Sequence, residues 1–132
     1  MNKLPDYWDG VIERLIGAIN GHDDLFVLQT YHDKYLHGPY VQGIREYGNM
    51  LSIEATSNRF LEPPIGEHGR EVMLFLGWSP PNDSDSPNYS QLLSRTEWTS
   101  FEVAALLAQS LHFAYGLDED THFELATKMG VG

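Results

Sequence analysis

Tyr40-Val41-Gln42-Gly43-Ile44-Arg45-Glu46-Tyr47-Gly48-Asn49-Met50-Leu51-Ser52-Ile53-Glu54-Ala55 sets two runs of strand-forming residues on either side of a Gly-Asn pair. Such a pair between strand-like runs is a two-residue hairpin signal of the I′ or II′ kind, because glycine and asparagine tolerate the left-handed backbone those turns require. With Gly48-Asn49 as the whole loop, Tyr47 faces Met50, Ile44 opposes Ile53, Gln42 opposes Ala55 and Leu51 lies across from Glu46. A slip of one residue turns every side chain to the other face. This register therefore assigns Tyr40, Ile44, Leu51, Ile53 and Ala55 to the core side and leaves Gln42 as an amide on an apolar face. Arg45 then opposes Ser52 and lies diagonal to Glu54, within reach of a charge pair worth up to ~1 kcal/mol.

Upstream of the hairpin, Trp8, Val11, Ile12, Leu15, Ile16 and Ile19 recur at helical spacing. Asp6 is placed as the N-cap, and Gly21 as a left-handed stop after Asn20. At ~1.5–3 kcal/mol per buried large side chain, that stripe stabilises by on the order of 10 kcal/mol before entropy is charged, so it must cover a sheet or another helix. Leu25 to Tyr31 follows as an unbroken apolar run that reads as a central strand. Pro39 opens the next strand, a position where proline is tolerated.

Downstream, Pro63-Pro64 breaks the chain. Glu67 to Leu76 reads as a second helix with Val72, Phe75 and Leu76 inward, its first turn weakened by Gly66 and Gly69 at ~1 kcal/mol each relative to alanine. Ser79 to Pro87 is a loop, and Asn88 to Leu93 returns as a short fourth strand. Thr99 and Glu102 form a capping box for a third helix with Val103, Leu106, Leu107, Leu111 and Ala114 inward, stopped by Gly116. His122 to Ala126 fits either a short strand or a helical turn. The order α-β-β-β-α-β-α describes one α+β domain over residues 1–132, with helices packed on a twisted antiparallel sheet.

Composition narrows the function. The 132 residues are 42% hydrophobic, enough for a single core. Eight basic against nineteen acidic residues leave a net charge of −11. Such a surface repels phosphate backbones and anionic lipids, which disfavours nucleic acid and membrane partners and favours a basic one. The absence of cysteine rules out thiol catalysis, thiolate zinc sites and disulfides. No export signal is visible from Met1 to Asp9 and no apolar run approaches the ~20 residues a membrane span needs, so a cytoplasmic location is expected.

Candidate chemistry is sparse. His22, His32 and His37 lie close in sequence, but no two stand at the i, i+4 spacing of a helix-borne zinc site, and loop polarity accounts for them. Asp83-Ser84-Asp85-Ser86 imitates the start of a calcium loop, yet the sixth position lacks glycine and Ser94 stands where the twelfth-position glutamate belongs. There is no Gly-x-Ser-x-Gly elbow and no glycine-rich phosphate turn. Glu46 and Glu54 point to opposite faces in the hairpin register, so they do not form an acid/base pair. Neither catalysis nor a metal or cofactor is expected. What remains are large aromatics and amides at the ends of elements: Tyr40, Gln42, Asn58, Trp78, Asn88 and Tyr89. Core plugs and turn amides account for such residues in one reading; contacts to a bound polypeptide account for them in the other.

Tyr40-Val41-Gln42, Leu51 with Glu54 and Ala55, Ser57-Asn58 with Phe60-Leu61, Leu76-Gly77-Trp78 with Pro80, and Pro87-Asn88-Tyr89 together resemble the TY-Chap domain family of bacterial proteins. That family is grouped with type III secretion chaperones and YbjN-like proteins as peptide-binding chaperone-like domains, and the resemblance spans roughly residues 5–116. It implies helices on a strongly twisted antiparallel sheet and a non-enzymatic role in binding an extended segment of a protein or peptide partner. It also leaves room for homodimerisation, as in secretion chaperones. Tyr40, Gln42, Asn58, Trp78, Asn88 and Tyr89 are then the expected contacts, with the first or fourth strand supplying an edge for main-chain pairing. Gly43 departs from the pattern, where a large apolar residue is common, and by that reading removes a contact from the binding groove. The alternative from a different class is an acidic immunity-type inhibitor that masks a basic protein.

Overall fold

The computed structural model describes residues 3–82 and 86–129; the Asp83-Ser84-Asp85 segment lies outside them. A 3₁₀ turn, Asp6–Trp8, leads into helix α1 (Asp9–Asn20), strands β1 (Leu25–Tyr31), β2 (Tyr40–Glu46) and β3 (Met50–Ala55), and helix α2 (Glu67–Phe75). Strand β4 (Tyr89–Ser94), helix α3 (Ser100–Gln109) and strand β5 (His122–Lys128) complete the fold. The strands form one antiparallel sheet in the order β4-β3-β2-β1-β5. The α+β architecture matches the expectation, and the segment left open at His122 resolves as a fifth strand paired along the whole of β1.

Burial alternates along the strands, so one sheet face is sealed and the other is open. Phe26, Leu28, Val41, Leu51, Ile53, Ala55, Tyr89 and Leu93 face the helices, and together with the α1 and α3 stripes they form one core. Every predicted inward residue of α1 and α3 lies in or against that core. The Thr99–Glu102 capping box forms in both directions. Beyond Gln109 the third helix loosens into a π turn, Ser110–Ala114, and ends where Gly116 takes a φ of 71°.

The hairpin differs from expectation by one residue. Its loop takes three residues, Tyr47-Gly48-Asn49, with Gly48 and Asn49 both left-handed, and the pairs run Glu46↔Met50, Ile44↔Ser52, Gly43↔Ile53 and Gln42↔Glu54. The face of β3 is as expected; that of β2 is reversed, with Val41 and Gly43 inward and Tyr40, Gln42 and Ile44 on the open face. Burying Val41 in place of Gln42 spares the core an amide needing hydrogen-bond partners, which is the cheaper choice. Gly43 is filled from the core side: a Cβ there would stand 2.3 Å from Cε1 and 2.5 Å from Cζ of Phe26. Its missing side chain therefore makes room for a ring in the core and takes nothing from the open face.

Four further expectations change. Arg45 makes no charge pair with Glu54; it reaches the end of α1, where Nη2 donates to the Ile19 and Gly21 carbonyls at 2.6 Å each and Nε to Asp23 O at 2.8 Å. A cation there satisfies carbonyls the helix leaves unpaired and complements its dipole. Gly21 is accordingly extended rather than left-handed, and α1 starts through the 3₁₀ turn, without an Asp6 side-chain cap. In α2 the inward residues are Gly69, Val72 and Met73, while Phe75 is 73% exposed. Gly69 is needed for the close approach of α2 to the π turn, since a Cβ would sit 2.5 Å from Ala114 O.

Candidate functional site

Three of the six residues singled out in the sequence meet on the open sheet face. Cross-strand pairing aligns Ser90, Glu54, Gln42, Val27 and Ala126 in one row, and Tyr40, Gln29 and Glu124 in the next. Gln42 Nε2 donates to Glu54 Oε2 at 2.8 Å. Asn88 Nδ2 donates to the Tyr40 hydroxyl oxygen at 2.9 Å and, more weakly, to Glu54 Oε1 at 3.5 Å. Asn88 is itself fixed, because its Oδ1 accepts the Ser57 N–H at 3.1 Å. Tyr40 is fixed through its backbone, which exchanges hydrogen bonds with the Thr56 hydroxyl at 2.7 and 2.9 Å. The result is a held carboxylate surrounded by amides and a phenol on a face no helix covers.

Glu54, absent from the residues the sequence singles out, joins this cluster because the register differs from the expected one, which puts it and Glu46 on opposite faces. Both lie on the open face, at opposite ends of the hairpin: Glu54 pairs with Gln42 and Glu46 with Met50. Four strand positions, roughly 13 Å at ~3.3 Å per residue, keep them too far apart to share a reacting bond. Distance, in place of facing, separates the two carboxylates.

The sheet edges are unequal. β1 is interior, between β2 and β5, so it supplies no edge. β4 is an edge but a blunted one: Ser79 and Ser90 exchange backbone hydrogen bonds at 3.0 and 3.2 Å, and Ser94 O accepts from Trp98 N–H at 2.9 Å. Leu92 stands between them, 61% exposed. β5 is the long edge. No described residue pairs with its outer side, no proline interrupts it, and its one lysine, Lys128, is at its end. Lysine and proline are common guards of exposed edges, so β5 is open to pairing along most of its length.

Beside the start of β5 the open face runs into a cleft of about 370 Å³ lined by Gln29, Tyr31, Leu36, His37, Tyr40 and Phe60. Gln29 Nε2 donates to Gly38 O at 3.1 Å, which holds the connection between β1 and β2 against the sheet. Tyr31, Leu36 and Phe60 expose apolar surface here, and Tyr31 OH donates to Glu124 Oε2 at 3.2 Å.

The other three residues sit elsewhere. Trp78 is 2% exposed, and its indole N–H donates to Ser110 Oγ at 2.9 Å, joining the end of α2 to the π turn. Asn58 clamps Ile65 at both backbone groups, accepting at 2.8 Å and donating at 3.1 Å. Tyr89 is 4% exposed on the core side; burial pushes its phenol up, against the opposing pull of the Arg70 charge. Tyr89 and Asn58 border a second, smaller cleft of about 280 Å³ with Leu74, Pro80 and Pro81.

Among the described residues no group of three or more His, Asp or Glu is placed to hold a metal ion. His32 is engaged with Asp118 at 2.9 Å. The Asp118 carboxyl is held low by the Asp120 N–H and then by His32. No helix among the described residues is long and apolar enough to cross a membrane.

The family model TY-Chap3, described as T3SS (YopN, CesT) and YbjN peptide-binding chaperone 3, matches residues 3–127. The chain belongs to this family of peptide-binding chaperones. No curated protein and no solved structure matches it.

Proposed function

Starting from membership of the TY-Chap family, we propose that this protein holds an extended segment of a client along the β5 edge and the open face beside it, without reacting with it. The observation that carries this reading is the unguarded edge of β5; at its start His122 lines a cleft of about 840 Å³ that shares Tyr31 and Leu36 with the smaller one at Phe60. Main-chain pairing at such an edge supplies affinity for any extended chain, and side-chain contacts beside it supply selectivity. Tyr40 and Gln42 are the proposed contacts, with Asn88 positioning Tyr40; Trp78 is bonded to the π turn, and Asn58 and Tyr89 border the separate smaller cleft. A second copy pairing through β5 would compete with the client for the same backbone groups.

The net charge of −11 favours a second reading, an acidic inhibitor masking a basic protein. Salt separates the two, because exposed charge pairs are screened within ~8–10 Å at moderate ionic strength, whereas backbone pairing and apolar contact persist. The test is binding to a random peptide library and, in parallel, to a panel of folded basic proteins, each at low and high salt. Retention of extended peptides at both supports the chaperone reading. Loss of all binding at high salt, with only folded basic proteins bound at low salt, contradicts it and favours the inhibitor.

A further inference from the structure

The open-face network has an unbalanced inventory. Glu54 is oriented by neutral donors alone, Gln42 Nε2 at 2.8 Å and Asn88 Nδ2 at 3.5 Å. The ion pairs among the described residues, His32–Asp118 and His122–Glu124, do not involve it. Each member also keeps capacity in hand. The Tyr40 hydroxyl accepts from Asn88 and makes no hydrogen bond with its own proton among the described residues. The Gln42 amide oxygen likewise has no donor there. Gln42 and Glu54 are direct cross-strand partners on the open face, so their Cβ atoms stand about 5 Å apart and the amide oxygen and the carboxylate are close neighbours. Both are acceptors. The complement of two neighbouring acceptors, one of them charged, is a planar cation with several divergent N–H groups, which is a guanidinium; an ammonium offers a point charge and matches less well.

We propose that Glu54 and Gln42, with Tyr40 beside them, form the selectivity point for an arginine side chain of the bound segment, Glu54 taking the charge and the Tyr40 O–H meeting a carbonyl of the same segment. This rests on the peptide-binding reading and adds to it the chemistry of one client residue. Gln42 and Glu54 lie two and three strands in from β5, roughly 10 and 14 Å at ~4.8 Å per strand, so the arginine belongs to the part of the segment that crosses the open face and not to the part paired along the edge. Asn88 is the positioning residue: 5% exposed and tied to Ser57, it sets the directions of both Tyr40 and Glu54.

The test uses the full chain and a phage-displayed library of random peptides, selected on the wild type and on Glu54→Gln, which is close to isosteric and is checked by an unchanged thermal midpoint. The wild type is expected to enrich arginine at one position. Replacing that arginine by citrulline in a selected peptide should weaken binding roughly tenfold, the scale of a charge-assisted pair, and lysine should recover only part of the loss. Glu54→Gln should still select peptides, without the arginine enrichment and with no penalty for citrulline. Peptides selected without arginine enrichment, or an equal citrulline penalty in both proteins, overturn the inference while the peptide-binding reading stands. A wild type that selects no peptides overturns both.

Discussion

Replacing Gly43 with alanine puts one methyl group where the Phe26 ring already lies. The new Cβ would stand 2.3 and 2.5 Å from ring carbons Cε1 and Cζ, against ~3.5–4.0 Å for carbon atoms at ordinary contact. The ring must therefore move by more than an ångström, and Phe26 is 3% exposed, within the core cluster. Overpacking of this kind costs ~1–3 kcal/mol. The smaller unfolded-state entropy of alanine returns ~0.4–1 kcal/mol, so a net loss of about 1–2 kcal/mol is expected. With an unfolding entropy of ~2.1 cal/mol/K per residue, that lowers the midpoint of this chain by roughly 4–7 °C. Calorimetry and urea unfolding followed by tryptophan fluorescence would measure it. Phe26→Leu should relieve the clash, making the double variant more stable than the sum of the single losses by at least ~0.5 kcal/mol. A Gly43→Ala protein as stable as the wild type or more so would refute the reasoning, because that is how a glycine on the open face behaves.

Arg45→Leu removes the cation that satisfies the end of α1 and is expected to cost about 2–4 kcal/mol, since hydrogen bonds to charged groups contribute ~1.5–3 kcal/mol and do not add fully; hydrogen exchange should show fraying first at the last turn of α1, and Arg45→Lys should recover little. Trp78→Phe leaves the Ser110 hydroxyl without its indole donor and should destabilise by ~1–3 kcal/mol in urea unfolding, while the folded fraction binds peptide as the wild type does. Burial pushes the Tyr35 phenol up to about 12 from the usual 10.0. A raised folded value means the contribution is intact below the unfolded value and is lost as pH rises from about 10 towards about 12; Tyr35→Phe should reduce this alkaline loss, followed by thermal midpoints across that range.

The helices were largely legible because their signals are local. A 3.6-residue stripe defines α1 and α3, and the Thr99-x-x-Glu102 box is complete within one turn. The hairpin was legible as an element but not in its register, because the two alternations of β2 each mix apolar and polar residues: Tyr40, Gln42, Ile44 and Glu46 against Val41, Gly43 and Arg45. The deciding contacts, Phe26 over Gly43 and Arg45 at the end of α1, come from parts of the chain distant in sequence. The same is true of α2, where Gly69 reads locally as a defect and serves as the point of closest approach to Ala114. β5 lacks an intrinsic strand signal; its pairing with β1 creates it. At the site, Tyr40, Gln42 and Asn88 stand out in the sequence without the carboxylate that joins them, because Glu54 is brought to Gln42 only by the true register. Aromatics and amides at element ends serve binding and internal capping alike: Trp78 is 2% exposed and bonded to Ser110, whereas Asn58 both clamps Ile65 and borders a cleft.

Amide hydrogen exchange across the whole chain, with and without a library-selected peptide, tests the central claim most directly. Binding along the edge should slow exchange from His122 to Lys128 and leave the amides of α1 and α3 unchanged. Slowing confined to α1 and α3, around the exposed Phe101 ring, with β5 unaltered, would contradict it.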